Sequence, residues 1–276
     1  NVPMLKRQKT GSVLCPSCGK LVGVKDEVCY NCGRRNPGMW GFAGVLRRAG
    51  GSLGFVPVVL YGCALLYAAT LFMDPQGIRM SGLSILSPST RSLAAFGASG
   101  AIPVFGYDRW WTVLSAAWLH GGLLHIAFNL LWIRQLAPAA AELYGASRAA
   151  IIYTVASIAG FLLSSLWGIP LTVGASAPIF GLLGALVAYG RRTGSRQVGS
   201  QALTYAAILF VFGFLMPNID NFAHLGGFVG GFLAGRVLNP LLPERVAHTI
   251  AALVCLGLTA LSIVASVATS GIFFAR

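Results

Sequence analysis

The apolar positions of this chain do not alternate with polar ones. They gather into seven nearly unbroken segments, at about residues 55–73, 123–136, 149–167, 176–190, 201–216, 222–237 and 248–273. A helix that is apolar on every face has no side to offer water, and about 20 such residues span a bilayer. The pattern predicts an all-α polytopic membrane protein. The second segment continues weakly through Pro138 to Tyr144, and Glu142 within it is expected either to reach the headgroup region or to find a partner, with the loop near Arg148 as the candidate. The fourth segment is short for a span, which a membrane tolerates where its mouth opens onto a water-filled dip.

Glycines recur every four residues in the sixth segment, at Gly227, Gly231 and Gly235, and Ala177, Gly181 and Ala185 match that spacing in the fourth. Small residues so placed let two helix backbones approach closely, so these two faces are expected to pack together. Between the first and second segments lies a semi-polar stretch, 75–119, that carries Trp110-Trp111. A connection of this length is usually functional or folded on itself. Tryptophans there also suit an interface anchor.

Composition agrees with the pattern: of 276 residues, 56% are hydrophobic and only 10% charged. The net charge of +13 would suggest nucleic acid in a soluble chain, but here the charges are sorted by side. With the N-terminus inside, 16 of the 20 basic residues fall on the inner side and only Arg79, Arg91, Arg109 and Arg276 outside. That is a positive-inside bias. The expectation is a multi-pass protein of the bacterial inner membrane, N-terminus cytosolic, C-terminus outside, with the bilayer and no nucleic acid as partner. No signal peptide is expected, because the first apolar segment begins only at Phe55, and Met4 is a candidate start.

Residues 1–14 read as a basic flexible tail. Residues 15–37 hold Cys15-Pro-Ser-Cys18-Gly and Cys29-Tyr-Asn-Cys32-Gly. Two such pairs read as the knuckles of a zinc ribbon, whose four thiolates complete a tetrahedral structural site and leave no open position for a catalytic water. Two disulfides are the other reading, though a small basic segment on the cytosolic side favours reduced thiols. The ribbon either stabilises the N-terminus or contacts a cytosolic protein. Residues 38–54 read as a linker, 55–240 as a six-helix core and 241–276 as a further C-terminal helix. Cys63 and Cys255 sit alone in apolar runs, as packing residues do.

The candidate chemistry lies at segment mouths. Gly174-Ala175-Ser176-Ala177-Pro178 opens the fourth segment. Ser176 is either a helix N-cap or a nucleophile with room for its target. His224 opens the sixth segment, and His125 and Asn129, four apart and so on one helical face, open the second. In the predicted topology all four share the outer leaflet. His224 is then the candidate base, with no carboxylate at matching depth to orient it, so a Ser176–His224 dyad is expected rather than a triad. Phe180, one turn past Ser176, is placed to stack on His224. His125, Asn129 and the Ser176 backbone N–H are candidate oxyanion donors, with Gly174 as support. Helix-to-helix hydrogen bonding is the plainer alternative for His125 and Asn129.

His125-Ile-Ala-Phe-Asn129, Gly174-Ala-Ser176 and Ala223-His224-Leu-Gly-Gly227-Phe-Val-Gly-Gly231, in this order, resemble the rhomboid intramembrane serine proteases. The resemblance covers about 55–240, with a seventh helix appended. It implies Ser176 as nucleophile, His224 as base, and His125 and Asn129 at the oxyanion. It also implies cleavage of transmembrane protein substrates near their outer ends, with no cofactor for the chemistry. Two features depart from the family pattern: Ala177 follows the serine where glycine is common, and Arg109-Trp110-Trp111-Thr112 places the arginine before the tryptophans. Gly97-Ala98-Ser99-Gly100 is a better textual match to Gly-x-Ser-Gly, but it lies in the first loop with no membrane helix after it, and it is rejected as nucleophile. The competing readings are a catalytically inactive relative that binds client helices and, more remotely, a transporter, for which the inverted repeat is lacking.

Overall fold

The structure, a computed structural model, describes residues 7–52, 54–82, 84–216 and 218–271. Part of the basic tail (1–6), Pro217 of the break before the sixth segment and the end of the last segment, with Arg276, lie outside the described residues.

A small unit comes first. Strands β1 (Ser12–Leu14) and β2 (Leu21–Gly23) pair antiparallel with Val13 opposite Val22. Both valines are buried with Cys15, Val24, Cys29 and Ala43. Residues 12–14, expected in the tail, thus belong to this unit, because Val13 needs the cover that the hairpin supplies. The stretch read as a linker contains a helix, α1 (Ala43–Ser52), which packs on β1 and on the last helix of the chain.

Helix α2 (Phe55–Met73) has the bounds its apolar run predicts. The long connection after it is folded on itself. It forms a hairpin of β3 (Arg79–Ser81) and β4 (Ser84–Ser87), then α3 (Thr90–Phe96), capped by the Ser89 side chain, which accepts from the Ser92 N–H at 3.1 Å. A short helical turn, Ile102–Gly106, and α4 (Thr112–Ser115) follow. The chain then bends by 92° into α5 (Leu123–Tyr144). The remaining helices are α6 (Ala146–Leu166), α7 (Ser176–Thr193), α8 (Arg196–Leu215), α9 (Asn221–Val237) and α10 (Val246–Ala268). Helix α8 starts several residues before its apolar run, since Gln197 and Ser200 are polar yet helical. Apolarity marks what is hidden from water, not where a helix begins.

By length and composition α2, α6, α8 and α10 can each cross a membrane, and the bent pair of α4 and α5 counts as a fifth. Helix α7 is the hub. Thirteen of its 18 residues are buried, and it packs on α5, α6, α8 and above all α9. The α7–α9 contact follows the predicted small-residue faces in register. A Cβ on Gly227 would fall on the Ala177 backbone, one on Gly231 on the Gly181 backbone, and one on Gly235 would lie 3.0 Å from Ala185 Cα. On its other side α9 uses Gly226 and Gly230 to meet α6 at Ala159 and Gly160. Bilayer lipid is as apolar as leucine, so association must come from close packing, and glycine on two faces lets α9 wedge between α6 and α7.

One end of the bundle is tied by Arg148, which is 1% exposed. Its guanidinium donates to the carbonyls of Asn239 and Leu242, and its backbone N–H donates to Glu244 Oε1 at 2.8 Å. The acidic residue beside Arg148 is therefore Glu244 and not the expected Glu142, because the chain after α9 folds back beneath α6.

Candidate active site

Ser176 is the first helical residue of α7; Ala175 occupies the N-cap position, and no side chain caps that end. The N-cap explanation for the serine thus finds no hydrogen bond in its support. The preceding Gly174 has φ +136° and is buried, and it packs against the His125 ring. A Cβ at Gly174 would stand 2.7 Å from His125 Nε2 and 3.6 Å from Ser176 Oγ. The serine hydroxyl and the histidine nitrogen therefore face one small space that only glycine leaves open, and φ in that region favours glycine as well.

The tautomer of His125 follows from its other nitrogen. The Gly121 N–H donates to His125 Nδ1 at 3.3 Å, so the proton of a neutral ring sits on Nε2, the nitrogen toward Gly174 and Ser176. Asn129 is 2% exposed, and its amide donates to the His125 carbonyl one turn back at 3.0 Å. One of its N–H groups thus braces the turn that carries His125. His120, which sequence reasoning passed over, is fully buried with its ring edge-on to His125 at 5.3 Å. Its position just ahead of the α5 N-terminus was visible, but its direction was not.

His224 is 5% exposed and held on two sides. The Phe180 ring lies against it, with centroids 4.3 Å apart and planes 16° from parallel. Asn221 Oδ1 lies 3.2 Å from His224 Nδ1. With Nδ1–H donating to that oxygen, Nε2 carries the free lone pair. Asp220 serves elsewhere: it caps α9 by accepting from the Ala223 N–H at 3.0 Å and takes a hydrogen bond from the Ser164 hydroxyl. The orienting group near His224 is thus an amide. A search for carboxylates misses it, although Asn221 lies at i−3, a spacing that puts it on the same helical face.

Ser99 of the textual decoy is fully buried, its hydroxyl meeting that of Thr112 at 3.2 Å. Its backbone pairs with Thr172, at 3.1 and 2.7 Å, next to the serine loop.

In the N-terminal unit, Cys15, Cys18, Cys29 and Cys32 bring their sulfurs within 4.8 Å of one another. Cys15 and Cys32 are 3.7 Å apart and Cys18 and Cys29 3.6 Å. A tetrahedral zinc with bonds of about 2.3 Å separates its sulfurs by about 3.8 Å, so the spacing fits. The Lys20 backbone favours the Cys18 thiolate and brings that thiol down to about 6. Cys32 is pushed up to about 12: hydrogen bonding to the Arg34 backbone favours its thiolate, but desolvation and the three neighbouring thiols outweigh it. Four cysteine sulfurs at this spacing are compatible with a metal site.

A multi-pass helical membrane protein with polar side chains gathered at helix mouths is the class that fold and site define. Residues 107–240 match the rhomboid domain. The chain is similar to rhomboid protease GluP of Bacillus subtilis, 37% identical over 164 residues that make up 58% of this chain and 32% of that protein. It is 32% identical to RHOMBOID-like protein 1 of Arabidopsis thaliana over 159 residues, 55% of this chain and 41% of that one. To Rhomboid-like protease 3 of Toxoplasma gondii it is 32% identical over 153 residues, 52% of this chain and 57% of that one. The chain thus spans between about a third and somewhat over half of the length of these relatives.

Proposed function

We propose that this chain is an intramembrane serine endopeptidase that cleaves transmembrane segments of other membrane proteins. The observation that carries the reading is the meeting of Ser176 and His125 across Gly174, with His224 clamped between Phe180 and Asn221. Ser176 Oγ attacks the scissile carbonyl, and His224 Nε2 takes its proton. The Nδ1–H bond to Asn221 holds the tautomer and stabilises the imidazolium that forms. The oxyanion accepts from His125 Nε2–H and from the Ser176 backbone N–H, which points out of the α7 N-terminus. His224 returns the proton to the leaving amine, then draws one from the water that hydrolyses the acyl-serine. Asn129 completes the oxyanion site beside His125, one of its N–H groups holding the His125 carbonyl and the other free to donate to the oxyanion.

The relatives named as rhomboid proteases support the reaction class. The positive-inside bias supports a cytosolic N-terminus and an outer-leaflet site. The cysteine cluster supports a structural zinc that folds the N-terminal unit and takes no part in the chemistry. That unit either contacts a cytosolic protein or serves only to stabilise the N-terminus.

The test is cleavage of a model single-span substrate in liposomes. Wild type should cleave and label with a serine-directed fluorophosphonate; Ser176→Ala and His224→Ala should do neither, and Ser99→Ala should do both. A wild type that neither cleaves any of a panel of substrates nor labels would instead make the chain a client-binding relative without catalysis.

A further inference from the structure

The loop that delivers Ser176 is tied down by the rejected Gly97–Gly100 segment. Ser99 and Thr172 exchange backbone hydrogen bonds, the Ala101 N–H donates to Ile169 O at 2.7 Å, and the Ile102 N–H donates to Pro170 O at 3.2 Å. The Gly174 N–H donates to Ala116 O at 2.9 Å. Gly100, with φ +134°, allows this approach: a Cβ there would stand 2.6 Å from Pro170 O.

That segment is in turn held by the seventh helix. Arg109, 3% exposed, donates through one guanidinium nitrogen to Ala94 O and through the other to Ser266 O in the last turn of α10, both at 2.9 Å. The Trp111 indole N–H donates to Ser266 Oγ at 3.0 Å. Ser266 is fully buried, and a Cβ on Gly97 would stand 2.6 Å from its hydroxyl. The Thr112 hydroxyl donates to Arg109 O at 2.8 Å and meets the Ser99 hydroxyl at 3.2 Å, while the Ser115 hydroxyl donates to Gly97 O at 2.8 Å. Hydrogen bonds and close packing therefore run from α10 through Arg109, Trp111 and Thr112 to residues 97–102, and from there to the loop 169–174.

We infer that α10 is a positioning element of the active site: Arg109 and Trp111 clasp its last turn at Ser266 and so fix the loop that presents Ser176. The arginine displaced from the family pattern stands where its two donors reach the ends of two helices at once, and helix C-terminal carbonyls attract a cation. The inference rests on the serine-protease reading for its catalytic arm only.

The test uses the full chain in liposomes with Trp111→Phe, Ser266→Ala, their double variant and Ser266→Thr. Removing one indole bond while keeping the ring should lower kcat, and the rate of fluorophosphonate labelling, on the order of tenfold with KM unchanged, since small misplacement of a reacting group has effects of at least that size. The double variant should match either single one, because one bond is lost in each. Ser266→Thr, which keeps the hydroxyl, should restore the rate. Amide exchange in peptides covering 97–102 and 169–175 should quicken in the same variants. Wild-type kcat in Trp111→Phe and Ser266→Ala overturns the proposal, as does a lowered kcat with unchanged exchange in those peptides. If wild type neither cleaves nor labels, the protease reading falls, and the exchange alone decides whether α10 holds the loop.

Discussion

The Phe180 ring lies flat on the imidazole of His224, 4.3 Å between centroids. Because Phe180 is one helical turn past Ser176, the contact ties the proposed base on α9 to the helix that carries the proposed nucleophile. An aromatic stack is worth about 0.5–1.5 kcal/mol, so Phe180→Leu should lower kcat up to about tenfold. KM for a single-span substrate should stay put, and Phe180→Tyr should remain near wild type. Steady-state kinetics of the three proteins check this.

Asn221 should matter for kcat and not for binding. Asn221→Ala removes the acceptor at His224 Nδ1 and should reduce kcat between about tenfold and a hundredfold, less than the roughly hundredfold to ten-thousandfold that a general base as a whole contributes. Asn221→Asp keeps an acceptor oxygen and should recover most of the rate. Gly213 of α8 gives an independent probe, because a Cβ there would stand 2.9 Å from Asn221 Cγ and push the amide aside. Gly213→Ala should therefore imitate Asn221→Ala, and the two together should not add.

Gly174→Ala should inactivate without unfolding. Its Cβ would stand 2.7 Å from His125 Nε2 and force the ring away from the oxyanion position. Loss of one such donor costs about a hundredfold or more in rate. His125→Ala should show a loss of the same order, and a thermal-unfolding midpoint near wild type in Gly174→Ala would assign the defect to chemistry.

Stability should depend on the glycines of α9 and not on that of α10. A side chain on Gly231 must displace the α7 backbone at Gly181, so Gly231→Val should destabilise by at least about 2 kcal/mol, the scale of overpacking in a close-packed core. A Cβ on Gly257 meets nothing within 4 Å, and Gly257→Ala should leave the unfolding midpoint unchanged or slightly raised. Unfolding in mixed detergent measures both.

The purified chain should carry one zinc. Cys18→Ser should lose the metal and expose the N-terminal unit to protease, because a four-thiolate site supplies much of the folding energy of so small a unit. Cleavage by the membrane part should persist. Elemental analysis with limited proteolysis checks it; a chain without zinc whose N-terminal unit resists protease regardless would overturn the metal assignment.

Much of this protein is set by local chemistry and is readable along the chain. Apolar runs give the helices because the membrane interior admits little else, and α2 keeps the bounds of its run. The four-residue spacing of Gly227, Gly231 and Gly235 already contains the α7–α9 contact, since small residues on one helical face have one obvious use there. The cysteine spacing likewise contains the cluster. Tertiary structure alone decided the rest. Asn221 faces His224, while Asp220, the N-cap of α9, is held away from His224 because one of its oxygens caps the helix at the Ala223 N–H and the other accepts from Ser164 of α6, 56 positions away. Arg109 reaches Ser266 across 157 positions only because α10 packs along the first loop, and Ser99 meets Thr172 because that loop also packs on the segment before α7. Sequence order records none of these distances: they follow from how the helices pack, and packing depends on every residue at the contact at once.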